Sequence, residues 1–248
     1  MKLAQLNHLR DDYRIMFKEE KVKGKTFTVV SYIAADDELW DKPLAKEACG
    51  ITFNEQGDCV CRPFEKFFNV NETDDTRISK LDFNGAILTK KYDGIMITPV
   101  LVGDKVVFKS KESFSSDVAK TANRAASNKL KEFCETLLVQ GITPIFEFMH
   151  PNHRNVIDYG TRPHFVLIAA RRIADGKYVD IDELELKYDV PCGVVIRLKV
   201  NIDTLMHAID NRTSEVGFVV AFANGERVKF KTRWYVNAHM ALTGLRVF

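Results

Sequence analysis

The chain lacks any stretch that approaches the ~20 consecutive apolar residues a membrane span needs. It does not open on a secretion signal either. Met1 to Asp12 is polar and reads as a short amphipathic helix. Net charge is close to absent, at +2 over 248 residues. Nucleic acid would feel no global pull, so any such binding must come from a local patch. Cysteine is scarce and odd in number: Cys49, Cys59, Cys61, Cys134 and Cys192. Without a secretion signal, that count argues for free thiols in a reducing compartment, here the cytoplasm, rather than a disulfide framework. Cys59-Val60-Cys61 has no second Cys/His pair at zinc spacing, and alternation along a strand explains it without a metal. No glycine-rich strand-to-helix loop is present, which counts against P-loop and Rossmann sites. Repeats, low-complexity tracts and Pro/Ser-rich linkers are missing as well.

What is there is an ordinary globular balance, 46% hydrophobic and 28% charged, with a core large enough to need no staples. We expect one domain over 1–248. Thr26 to Tyr32 is β-branched and aromatic and predicts a strand. Gly50 to Phe53 and Cys59 to Pro63 flank a hairpin-like turn at Asn54 to Asp58. Gly85 to Lys91 and Ile95 to Leu101 are strands around Asp93-Gly94, and Gly103-Asp104 turns into Lys105 to Lys109. Ser116 to Val139 predicts one long helix, closed by Gly141, and Asn201 to Asp210 a short one. Thr143 to Met149, His164 to Arg171, Val194 to Val200, Phe218 to Phe222 and Arg227 to Lys231 predict further strands. Short strands joined by turns, with helices between them, predict an α+β fold of mixed, mainly antiparallel sheets.

Five segments suggest chemistry. Lys91-Tyr92-Asp93-Gly94 holds a lysine beside a turn between two strands. Such a lysine can be a nucleophile, provided that nearby cations or desolvation free it of its proton. Phe146-Glu147-Phe148 sets a lone carboxylate in an apolar strand, where a group without a task is costly. Val228-Lys229-Phe230-Lys231 and Phe108-Lys109-Ser110-Lys111 each place lysines at alternate positions, on one strand face. A solvated strand face explains these equally well. Arg62 to Asn69 mixes cations with aromatics, as a phosphate or base site does and as an amphipathic core strand also does.

In that order the segments resemble the covalent nucleotidyltransferase superfamily of polynucleotide ligases and capping enzymes. More narrowly, they resemble the phage RNA ligases that repair cut tRNA. Lys91-Tyr92-Asp93-Gly94 is similar to motif I, Phe146-Glu147-Phe148 to motif III and His164 to Arg171 to motif IIIa. Lys229-Phe230-Lys231 with Trp234-Tyr235-Val236 is similar to motif V in its RNA-ligase form. Arg62 to Asn69 and Phe108 to Lys111 are similar to segments characteristic of RNA ligases. The resemblance implies a three-step reaction. A lysine takes AMP from ATP, the AMP moves to a 5′-phosphate RNA end, and a 3′-hydroxyl displaces it. It implies Lys91 as nucleophile and Glu147 on the ribose or a hydrated Mg²⁺ or Mn²⁺. Lys229 and Lys231 would meet the α-phosphate, and Lys66 and Lys111 the other ATP phosphates. Asp93, Gly94 and Tyr235 would join the nucleotide site. The implied partners are RNA ends, nicked tRNA among them, with no membrane and no oligomeric state specified.

Three departures keep a second reading open. The family's motif IV is an acid followed by glycine, and here that acid position is Val216; Glu215 is one residue off and reaches the site only through a bulge. The family's arginine before Gly50 is Cys49, which cannot clamp a phosphate in bidentate fashion. Ile95 stands where the family commonly has serine, and the helical domain by which larger members choose tRNA is not expected here. The alternative is therefore a degenerate ligase that binds nucleotide or RNA ends without sealing them.

Overall fold

A computed structural model describes residues 1–244; the last four residues of the expected 1–248 domain lie outside the described residues. The strands in chain order are β1 Ile15–Val22, β2 Lys25–Tyr32, β3 Cys49–Phe53, β4 Cys59–Cys61, β5 Phe68–Asn69, β6 Ile87–Lys91 and β7 Ile95–Val102. They continue as β8 Lys105–Lys109, β9 Ile142–Met149, β10 His164–Arg172, β11 Gly193–Val194, β12 Arg197–Lys199, β13 Gly217–Ala221 and β14 Arg227–Lys231. The α-helices are α1 Asp37–Trp40, α2 Asp117–Ala125, α3 Asn128–Val139, α4 Ile181–Lys187, α5 Ile202–Asn211 and α6 Arg233–Thr243. β10–β11 and β14–β5 pair parallel, whereas β1–β2, β2–β3, β3–β4, β7–β8, β7–β9, β6–β12, β6–β13 and β13–β14 pair antiparallel, a mixed α+β fold as the strand-turn pattern predicts. No helix among the described residues is long and apolar enough to cross a membrane.

Two compact units emerge. The first comprises Met1–Lys66, Ile95–Phe148 and Phe165–Val194. It holds a four-stranded sheet, β1-β2-β3-β4, and a second sheet in the order β11-β10-β9-β7-β8. Phe27, Val29, Cys61, Val100, Val102 and Phe114 form one of its apolar clusters. The second unit comprises Phe67–Gly94, Met149–His164 and the chain from Val195 onward. Its sheet runs β12-β6-β13-β14-β5. Phe218, Val220, Val228 and Phe230 pack there with Leu205, Ala208 and Ile209 of α5. Alternation along β13 and β14 sends these apolar residues to one face and leaves the residues between them on the other.

Several expectations needed correction. The helix expected from Ser116 to Val139 is two helices. Ala126 is extended, and the Ser127 side chain accepts from Leu130 N to start α3, as Ser116 accepts from Ala119 N to start α2. Strand β1 was not foreseen, because its charged tail hid the pattern. It pairs with β2 from Ile15↔Tyr32 to Val22↔Lys25, through a two-residue turn with Lys23 and Gly24 at φ 48° and 83°. The strand expected over Val194 to Val200 divides between two sheets: β11 pairs with β10, and β12 with β6. The amphipathic opening is a 3₁₀ helix over Leu3–Leu9 with Leu6 and Leu9 buried. After Lys231, Thr232 caps α6 by accepting from Tyr235 N, so the motif V segment is half strand and half helix.

Candidate active site

In the second unit, cross-strand register gathers three of the expected lysines. Lys91 on β6 lies opposite Gly217 on β13, which lies opposite Lys231 on β14. Two residues along, Thr89, Val219 and Lys229 form the next row of the same face. Lys91, Lys229 and Lys231 therefore share the sheet face that the apolar core does not use. All three are half-buried. Lys91 Nζ donates to the Tyr92 carbonyl at 3.3 Å. Lys229 Nζ donates to the Phe67 carbonyl at 2.9 Å and lies 4.5 Å from that residue's ring centre. Lys90 registers with Phe218 on the core face, so it faces away from Lys91.

Asp93 is buried, 5% exposed, and its carboxylate is already engaged. The amides of Val156 and Ile157 each donate to it at 2.7 Å, and the Tyr235 hydroxyl donates to its other oxygen. Its own amide donates to the Tyr159 hydroxyl at 2.9 Å. Tyr235, on the first turn of α6, thus meets the motif I turn through Asp93. Gly94 leads directly into β7.

The motif IV position sits at the head of β13. Glu215 lies 4.0 Å from Lys90 and 3.1 Å from Arg212. Val216 is 1% exposed, and its carbonyl accepts from Thr232 N at 2.9 Å. Gly217 has φ of 132°, and a Cβ there would meet the Phe230 carbonyl at 2.0 Å. Only glycine fits so close to β14.

The first unit holds the remaining expected residues. Glu147, on β9 opposite Met96, is half-buried, while Phe146 and Phe148 beside it are fully buried and pack on Phe165. Lys111 Nζ donates to the Tyr32 carbonyl at 2.9 Å and lies 3.8 Å from that ring's centre. Lys66 lies 5.7 Å from the Tyr32 ring centre and 5.4 Å from that of Trp40, so both lysines approach Tyr32. Lys109 does not lie on a solvated face. The strand ends there, and the side chain is fully buried, donating to the carbonyls of Gly50 at 2.7 Å and Ser110 at 3.2 Å. Burial pushes its pKa below the ordinary lysine value. Cys49, at the expected arginine position, is buried on β3. Burial pushes the Cys59 thiol up to about 12 and raises Cys61 as well.

Sequence reasoning missed a buried ion cluster in this unit. Arg62 and Arg171 both grip Glu47: Arg62 Nη2 at 2.6 Å, and Arg171 through Nη1 and Nη2 at 2.9 Å each. Arg171 also donates to the Pro63 and Gly176 carbonyls. Burial alone would raise the Glu47 carboxyl, but the two guanidiniums outweigh it and hold the pKa below the usual value. The partners lie 15 and 124 residues apart in sequence, so no local pattern announces them.

A family model described as RNA ligase matches residues 47–235. The chain is similar to an inferred RNA ligase of Thermovibrio ammonificans, 33% identical over 233 residues that cover 90% of this chain and 61% of that protein. It is 25% identical to RNA ligase 1 of bacteriophage TS2126 over 85% of this chain and 56% of that protein. The chain thus spans about three fifths of the length of these curated relatives. An archaeal ATP-dependent RNA ligase shares the fold, with a TM-score of 0.65 at 11% identity over 97% of this chain and 64% of that one. With the family model matched over most of its length and the motif I and motif V lysines on one sheet face, the chain belongs to the RNA ligase family.

Proposed function

We propose that the chain is an ATP-dependent RNA ligase that joins 5′-phosphate and 3′-hydroxyl RNA ends through a lysyl-AMP intermediate on Lys91. The observation that carries this reading is the shared face of Lys91, Lys229 and Lys231. In the first step the unprotonated Nζ of Lys91 attacks the α-phosphorus of ATP. A nitrogen–phosphorus bond forms, the α–β bridging bond breaks, and pyrophosphate leaves. Lys229 and Lys231 offset charge on the α-phosphate as it develops. The AMP then passes to a 5′-phosphate RNA end, and a 3′-hydroxyl displaces it.

We assign Lys66 and Lys111 to the remaining ATP phosphates and Glu147 to the divalent ion. Among the described residues no group of three or more His, Cys, Asp or Glu side chains could hold a metal unaided. A lone carboxylate suits Mg²⁺ or Mn²⁺, which keeps waters and takes its other ligands from phosphate oxygens. Such an ion supplies neutralisation of phosphate charge. Asp93 and Tyr235 act by fixing the turn that carries Lys91, and Gly94 lets that turn enter β7. The substrates are RNA ends, with a cleaved tRNA as one of them, met in the cytoplasm where ATP and free thiols coexist.

One observation favours the degenerate reading. Glu215 is engaged by Lys90 and Arg212, and Val216 holds the position of the family's acid. Incubation with radiolabelled ATP and Mg²⁺ or Mn²⁺, followed by a denaturing gel, separates the two. A ligase labels at Lys91 and seals RNA ends. If Glu215 contributes no charge to the site, labelling is weak and the Val216→Glu, Cys49→Arg double variant raises it. Loss of one such preorganised group typically costs ~10²–10³ in rate. Brisk labelling that Glu215→Ala abolishes would remove the degenerate reading.

A further inference from the structure

Residues 150–164 bring arginine and histidine together in a short stretch. Arg154 and Arg162 stand there with three histidines, His150, His153 and His164, and one acid, Asp158. His150, His153, Arg154 and Arg162 line a pocket that Asp93, Asp158 and Tyr159 also border. The His150 and His153 ring centres are 5.6 Å apart. Arg154 pairs with Asp158 at 2.8 Å, whereas the exposed Arg162 has no carboxylate partner among the described residues.

The pocket is also held in place. Asp93 accepts from the Val156 and Ile157 amides, and its own amide donates to Tyr159. The segment is therefore moored to the turn that carries Lys91, two residues earlier. Such anchoring lowers the ordering cost of binding at this wall. Guanidinium groups in a concavity match phosphate oxygens in fork geometry.

We propose that this pocket holds a phosphate of the RNA strand being joined, as a site distinct from the lysine face. The identity of the polyanion rests on the RNA ligase reading. The ligand chemistry is a phosphate, supplied either by the terminal monoester or by an internal diester of the strand.

The test is fluorescence anisotropy of a short single-stranded RNA with a 3′ fluorophore. It is prepared with a 5′-phosphate or a 5′-hydroxyl and titrated without ATP over a range of KCl concentrations. The Arg154→Ala, Arg162→Ala double variant is expected to bind about tenfold more weakly. Its log K against log salt slope should flatten by roughly 1 to 1.5, the value for two lost phosphate contacts on a single strand. Loss confined to the 5′-phosphate RNA assigns the pocket to the terminal phosphate, and equal loss in both RNAs assigns it to an internal one. A circular dichroism melt confirms folding, and the Arg154→Lys, Arg162→Lys variant should regain most of the slope. Affinity and slope equal to wild type in the double variant overturn the proposal, as does wild-type protein that binds neither RNA. Loss of inorganic pyrophosphate binding with RNA binding intact would overturn it too, since the pocket would then serve the nucleotide. A chain that never forms lysyl-AMP defeats the ligase reading and leaves this assay readable. A chain that labels Lys91 yet ignores both arginines defeats only this proposal.

Discussion

In the second unit, three lysines stand on a sheet face opposite the apolar core, half-buried and in adjacent rows. In the first unit, Arg62, Arg171 and Lys109 are sunk into the protein, where Glu47 and backbone carbonyls satisfy them. Both units carry clustered cations, yet the fold holds them differently. A cation that the fold already satisfies has spent its hydrogen bonds on structure, and breaking it leaves a buried charge uncompensated. A cation held at a sheet face by register can still meet a phosphate. Burial and partners, rather than residue type, separate the two roles.

The contrast breaks most sharply at β6. Lys91→Ala should reduce labelling with radioactive AMP to background, while Lys90→Ala, on the core side of the same strand, should retain it. Labelling that survives the first substitution and disappears with the second would reverse the assignment.

Glu47→Ala should destabilise the protein by about 3–5 kcal/mol in urea unfolding, because it strands two buried guanidiniums. Lys231→Ala, on the half-buried face, should change stability much less. A Glu47→Ala variant that unfolds like wild type would erase the distinction between the units.

Gly217→Ala sharpens the same comparison through backbone geometry. Its Cβ would strike the Phe230 carbonyl at a φ of 132°, a cost on the order of 3 kcal/mol. Gly225, at φ 92° with nothing within 4 Å, should cost only about 1 kcal/mol on substitution by alanine. Equal thermal melts for the two variants would show that β13 tolerates displacement.

The smallest effect is the acid dependence of the buried cluster. The folded pKa of Glu47 lies below its ordinary value of 4.5, so its stabilisation is complete above that pH. It is lost as pH falls through the folded pKa. Unfolding free energy should decline from about pH 4.5 downward, and Glu47→Gln should flatten that decline; an unchanged slope would assign the acid sensitivity to other carboxylates.

Much of the second unit was legible from alternation. Val228-Lys229-Phe230-Lys231 states in four residues which side chains enter the core and which do not, and β14 follows it. Glu147 between two phenylalanines was equally plain. The same rule failed at Lys109-Ser110-Lys111, because the strand stops at Lys109 and alternation has no meaning beyond a strand end. It also failed at Ser127, where a capping hydroxyl outweighed an unbroken helical pattern.

The sequence by itself determined the mixed fold, the family and the pairing of lysines on strand faces, since each depends on periodicity or on residues a few positions apart. Only the tertiary structure decided which cations were already satisfied. Glu47 meets Arg62 and Arg171 across 15 and 124 residues, and Asp93 meets Val156 and Tyr235 across 63 and 142. The physical reason is that desolvation and hydrogen bonding act through space, and a buried charge takes its partner from whatever chain the fold brings beside it.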